Sequence, residues 1–149
     1  MTDFKNKKIV LMGLGTHGGG VELAKFLAKK GANLLITDLK TERELADSVK
    51  QLKGFDNITF ALGGHKWEYF KFADLVFINP AVPANSPWLE RIKKAKIPIS
   101  TETNLFFELC PAPIVGITGT NGKSTTATLI FEILKNLKNK KVFFGGNIG

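Results

Sequence analysis

Short apolar runs alternate with stretches of helical spacing along most of this chain. Ile9-Val10-Leu11-Met12 is a continuous apolar run, which predicts a strand buried on both faces. Val21, Leu23, Ala24, Leu27 and Ala28 then recur at helical spacing, and Gly31 closes that helix. Leu34-Leu35-Ile36-Thr37 predicts a second strand, ending on Asp38. Thr41 with Glu44 forms a capping box for a helix to about Lys53. Ile58–Leu62 and Leu75–Ile78 read as the third and fourth strands, the latter stopped by Asn79-Pro80. Ser86-Pro87 starts a helix to about Ala95, since proline is tolerated at the first helical position. Ile97-Pro98-Ile99 is a short fifth strand whose proline places it at a sheet edge. Thr101 caps a last helix through Leu109.

Cys110-Pro111-Ala112-Pro113 interrupts this alternation as a linker does. Beyond it, Ile114-Val115-Gly116-Ile117 predicts a buried parallel strand. A glycine-rich turn follows, and then a helix bearing Ala127, Leu129, Ile130, Ile133, Leu134 and Leu137; Val142-Phe143-Phe144 predicts one more strand. The expected architecture is α/β. Residues 1–110 form a Rossmann-like domain with a five-stranded parallel sheet, and residues 111–149 the opening β-loop-α-β of a P-loop ATPase-type central domain.

Two glycine-rich turns carry the candidate chemistry. Gly13, Gly15 and Gly18 give G-x-G-x-x-G between a strand and a helix, with Asp38 twenty residues after Gly18. In that setting the pattern predicts a nucleotide-type diphosphate at a helix N-terminus. The second turn is Gly119-Thr120-Asn121-Gly122-Lys123-Ser124-Thr125. Glycines let successive N–H groups point inward, and the helix start adds partial positive charge. Lys123 is placed to reach terminal phosphates and the Ser124 hydroxyl to bind Mg²⁺. The ordinary Walker A spacing calls for a glycine where Ile117 stands, with Gly116 one place too early.

Composition narrows the function classes. The 149 residues are 44% hydrophobic and 23% charged, as in a soluble fold with a core. Cys110 is the only cysteine, which excludes an internal disulfide and fits a reducing compartment. No signal-type segment opens the chain, and no run nears the roughly 18 apolar residues of a membrane span. A cytoplasmic protein without membrane contact is expected. The net charge of +8 comes from scattered lysines with only two arginines, Arg43 and Arg91, so it reads as solvated surface rather than a nucleic-acid face. His17, His65 and Cys110 make no zinc-type cluster. His17 lies inside the diphosphate loop, and His65 follows a strand end where ligands bind in open sheets. Trp67, Tyr69, Phe70 and Phe72 read as packing under a short helix or turn, and Glu102 and Glu108 as helix-surface charges.

The turn at 119–125 and the closing Gly145-Gly146-Asn147-Ile148-Gly149 resemble the Mur ligases and, for the turn, their folylpolyglutamate synthase relatives. The Gly13 loop, Asn79-Pro80 with Pro83, Ser86-Pro87 and the approach to Glu102 add to the resemblance, which spans the whole chain and leans to the D-glutamate-adding branch. It implies a three-domain cytoplasmic enzyme of peptidoglycan synthesis. There, ATP with Mg²⁺ converts the carboxylate of UDP-N-acetylmuramoyl-L-alanine to an acyl phosphate, which the amine of D-glutamate attacks. Carried over by position, Gly15-Thr16-His17 would hold the UDP diphosphate and Asp38-Leu39-Lys40 would border the uracil. Asn147 would contact the sugar nucleotide. Residues 119–125 would hold ATP, with Lys123 catalytic and Ser124 on the metal. His17 and Leu39 stand where the family has small hydroxyl residues, and Ala81 where a glycine usually follows Pro80. A full ligase would continue for about two more domains, so the chain is expected to be an N-terminal piece, inactive alone. The alternatives are the alanine-adding branch, a non-catalytic nucleotide-binding module, and an NAD-dependent oxidoreductase using Asp38 on a ribose hydroxyl, which leaves Lys123 unexplained.

Overall fold

The structure, a computed structural model, describes residues 3–139 and 141–146. The chain divides into two compact units, Met1–Cys110 and Pro111–Gly149. In the first, β1 (Lys8–Met12), β2 (Asn33–Asp38), β3 (Ile58–Leu62), β4 (Leu75–Ile78) and β5 (Ile99–Ser100) form one parallel sheet in the order β3-β2-β1-β4-β5. Its helices are α1 (Gly19–Lys29), α2 (Ala46–Lys50), α3 (Pro87–Lys94) and α4 (Glu102–Leu109).

Strand alternation builds two cores, one on each sheet face. Ile9 and Leu11 of β1 join Leu34, Ile36 and Phe77 under α1 and α2. Val10 and Met12 point the other way, to Val76, Ile78 and α3 residues Leu89 and Ile92. Central strands β1 and β4 are covered on both sides, which is why they read as unbroken apolar runs. The aromatic segment packs as expected. Phe70 is fully buried, stacked on Trp67 at 6.4 Å and 5.6 Å from Trp88, while Arg91 lies 4.3 Å over Trp67. Phe72 departs from that expectation and is exposed.

Boundaries shift where local chemistry demands it. Pro98 has no N–H to donate, so β5 begins at Ile99, though the Pro98 carbonyl still accepts from Val76 N–H. It lies at the sheet edge. The helix expected from Thr41 to Lys53 shortens to Ala46–Lys50. Glu44 does accept from the Thr41 N–H at 2.8 Å, which lowers its pKa, but the Thr41 hydroxyl donates to that carboxylate instead of accepting from the helix start. Only half of a capping box forms. Thr101 does cap α4, accepting from Asn104 N–H at 3.1 Å.

In the second unit α5 spans Lys123–Leu134. The strands expected at Ile114–Ile117 and Val142–Phe144 are absent among the described residues. A strand exists only through a ladder partner, and none of the described pairings reaches these segments. Val115 and Phe143 are exposed, and Phe144 stacks on Phe131 at 5.1 Å. No helix among the described residues is long and apolar enough to cross a membrane.

Candidate functional site

The strand order puts β2 on one side of β1 and β4 on the other. The connections leaving β1 and β4 diverge there, opening the crevice at strand C-termini where open α/β sheets bind ligands. The Gly13–Gly18 loop sits on it. Gly13 (φ 90°) packs so closely that a Cβ would stand 2.8 Å from Asn79 Cβ. Asn79, directly after β4, donates its N–H to Met12 O and accepts from Ala81 N–H through Oδ1. Beside it lies a hollow of about 270 Å³ lined by Ile78, Pro80, Val82, Leu89 and Thr101. A hollow of about 310 Å³ opens at the other sheet end, around Lys8, Asn33 and Tyr69, away from the Gly13–Gly18 loop.

Asp38 shapes the loop directly. Its carboxylate is buried at the end of β2. Oδ2 accepts from Leu14 N–H at 2.8 Å and Gly15 N–H at 3.1 Å, and Oδ1 from Lys40 N–H at 2.9 Å. Charge-assisted bonds of this kind are the strong ones. The acid is therefore engaged with its own backbone on both oxygens. From α2, the buried Ser48 donates its hydroxyl to Gly15 O at 2.9 Å. Gly20 supplies the tightest approach of all, since a Cβ there would lie 2.1 Å from Leu14 O.

These contacts leave a defined exposed rim. Gly15 is half-buried with its N–H committed to Asp38, whereas Thr16 and His17 are exposed. Leu39, 70% exposed, and Lys40 lie just past Asp38. The first helical bond of α1 runs from Glu22 N–H to Gly18 O, so the preceding N–H groups at the helix start have no helical acceptor. His65 is half-buried just past β3, after Gly63 and Gly64, whose N–H groups donate to Lys40 O and Asp38 O. Its Nδ1 is 2.9 Å from Thr37 Oγ1, and its ring meets Phe70 and Trp88 edge-on. Burial pushes its pKa below the ordinary imidazole value, against the opposing pull of Asp38.

The second turn, Gly119–Thr125, leads into α5. Gly122 caps the helix in the left-handed conformation (φ 75°), which glycine adopts without steric cost. Thr126 N–H to Gly122 O is the first helical bond, leaving the N–H groups of Lys123, Ser124 and Thr125 without helical acceptors. Lys123 Nζ donates to Gly119 O at 2.6 Å and Thr120 O at 3.1 Å, holding the ammonium inside the turn. Ser124 is exposed on the first helical turn. This donor set, one ammonium and a helix start, fits a phosphate chain. Among the described residues no group of three or more His, Cys, Asp or Glu is arranged to hold a metal ion. Asn147 lies outside the described residues.

Residues 7–101 match the family model described as Mur ligase MurD-like, N-terminal domain. The curated relatives include the UDP-N-acetylmuramoylalanine–D-glutamate ligases of Borreliella burgdorferi strain ZS7, 46% identical over all of this chain and 32% of the relative, and of Treponema pallidum, 40% identical over 96% and 27%. The chain thus spans about a third of the length of the curated relatives it matches. Among solved structures, a pseudomurein peptide ligase type C from Methanothermus fervidus is 33% identical with a TM-score of 0.54, over 87% of this chain and 26% of that one. The UDP-N-acetylmuramate:L-alanyl-gamma-D-glutamyl-meso-diaminopimelate ligase of Neisseria meningitides, at 24% identity and TM-score 0.56 over 87% and 40%, shares the fold.

Proposed function

Because the chain belongs to the Mur ligases through a MurD-like N-terminal domain, we propose that it forms the sugar-nucleotide-binding part, and the start of the ATP-binding part, of a ligase that adds D-glutamate to UDP-N-acetylmuramoyl-L-alanine in the cytoplasm. Residues 1–110 are the UDP-sugar domain, and residues 111–149 open the ATP domain. The observation that carries the reading is the pair of glycine turns, each ending at the start of a helix with free N–H groups. Thr16 and His17 face the UDP diphosphate, Leu39 and Lys40 border the uracil, and Asn147 contacts the sugar nucleotide. Asp38 fixes the border between the first two subsites.

ATP bound at residues 119–125 would supply the phosphoryl group that activates the substrate carboxylate, with Mg²⁺ offsetting its charge. Lys123 leaves the carbonyls of Gly119 and Thr120 for the phosphates and stabilises charge as the phosphoryl group moves. Ser124 supplies one metal ligand. Residues 1–149 alone perform no ligation in this reading, because the described residues offer no carboxylate cluster to complete the metal shell. The oxidoreductase reading is disfavoured, because it leaves the Lys123 turn without a role and needs a ribose hydroxyl on Asp38, which is buried and already accepts three backbone N–H groups.

Calorimetric titration of the chain with UDP-N-acetylmuramoyl-L-alanine, UDP and NAD tests the proposal. The two uridine nucleotides bind and NAD does not; NAD binding without uridine-nucleotide binding reverses the conclusion. With ATP and D-glutamate added, robust phosphate release and amide formation by the chain alone would contradict the division of labour.

A further inference from the structure

We infer that Ser48 is a positioning residue that aims the Thr16 N–H at the diphosphate; the inference rests on the diphosphate reading of the Gly13 loop. A trans peptide is planar, with its C=O and N–H pointing in opposite directions. The Gly15–Thr16 peptide therefore turns as one unit, and whatever holds the Gly15 carbonyl also sets the Thr16 N–H. Ser48 holds that carbonyl, donating to Gly15 O at 2.9 Å from a side chain buried in α2. The Thr16 N–H is thereby turned away from α2, and it makes no hydrogen bond among the described residues. Thr16 and His17 are exposed on that rim.

The need for such a hold follows from the residue type. Gly15 sits at φ 68° and has no Cβ to restrict it. Unrestrained, the ψ of a glycine turns more freely than that of any other residue, so that only the φ of Thr16 opposes a flip of this plane. Asp38 does not prevent that flip. It accepts the Gly15 N–H, which belongs to the preceding peptide, Leu14–Gly15. Asp38 and Ser48 therefore fix two successive peptide planes from two separate elements, and only the Ser48 contact governs the donor of Thr16. The residue lies 33 positions from Gly15 in a helix that carries no glycine motif.

The test compares Ser48→Ala and Ser48→Thr with the unaltered chain. Calorimetry measures UDP, competition NMR measures uridine, and the Gly15 carbonyl ¹³C and Thr16 amide ¹⁵N shifts report the peptide plane. Ser48→Ala should weaken UDP about tenfold, the worth of one hydrogen bond to a charged group. Uridine, which lacks phosphates, should bind as before, and both shifts should move. Ser48→Thr keeps the hydroxyl and should retain most of the UDP affinity. Equal losses for UDP and uridine, or a lower melting temperature with unchanged UDP affinity, overturn the positioning role. If the unaltered chain binds no UDP, the diphosphate reading fails. In that case the Gly15 and Thr16 shifts in Ser48→Ala still decide whether Ser48 orients the peptide, and unmoved shifts refute it.

Discussion

Three consecutive glycines, Gly18, Gly19 and Gly20, differ in what a methyl group would meet, and alanine at each should cost a different amount. At Gly20 a Cβ would stand 2.1 Å from Leu14 O, 2.9 Å from Leu14 C and 3.2 Å from Leu14 Cα. All three are backbone atoms, and Leu14 N–H is itself held by Asp38 at 2.8 Å. Relief requires α1 and the loop to separate by roughly 1 Å, at the upper end of the 1–3 kcal/mol that overpacking costs. The better helix propensity of alanine returns about 1 kcal/mol. The net loss for Gly20→Ala is about 2 kcal/mol, or roughly 8 °C in melting temperature for a domain of this size. Gly18 has open space around it but φ 89°, so Gly18→Ala carries only the backbone strain, about 1 kcal/mol. Gly19 would meet the end of the Glu102 side chain at 3.0 Å, which can swing aside, so Gly19→Ala should stay within about 0.5 kcal/mol of the parent. Urea unfolding of the three variants checks the order. The reasoning fails if Gly20→Ala is no less stable than Gly18→Ala.

Other perturbations probe the remaining contacts. Asp38→Asn removes the charged acceptor of three N–H groups and should cost about 1.5–3 kcal/mol with a parallel loss of UDP affinity; urea unfolding and calorimetry measure both. His65 has a depressed pKa in the fold, so the unfolded chain binds its proton first as pH falls below 6.5. Its contribution is fully present above that value and is lost as pH falls through the lower, folded pKa; in His65→Gln the urea midpoint should change less between about pH 7.5 and pH 5 than in the parent. In a full-length ligase carrying this chain, Lys123→Ala should slow phosphoryl transfer about 10²–10³-fold while UDP binding stays intact, as read by phosphate release and calorimetry.

The sheet was legible because parallel strands covered on both faces leave continuous apolar runs such as Ile9–Met12. Its edges were less so, since Pro98 shows that a strand is near but not on which residue it starts. The segments Ile114–Ile117 and Val142–Phe144 have strand composition, yet composition does not provide a ladder partner. At the site, glycine spacing located the first loop, but Asp38 as a buried organiser of that loop was beyond it. A carboxylate twenty residues on reads the same whether it faces a ligand or its own backbone. Gly20, Ser48 and Asn79 were missed for a related reason. Each acts through a contact made in space, and the run Gly18-Gly19-Gly20 and the stop at Asn79-Pro80 were the only signals available.

The first glycine loop is held by Asp38, Ser48 and Asn79, which belong to the end of β2, to α2 and to the exit of β4. None of these is its neighbour along the chain, so the loop reaches its working geometry only after β1, β2, α2 and β4 have all assembled. Partly folded species holding only β1, α1 and β2 would keep the glycine motif yet lack its shape. A ligand selecting that shape stabilises the completed fold and none of its precursors. Nucleotide added during refolding should therefore slow unfolding without speeding the earliest steps of collapse, making the loop a late witness to folding rather than its seed.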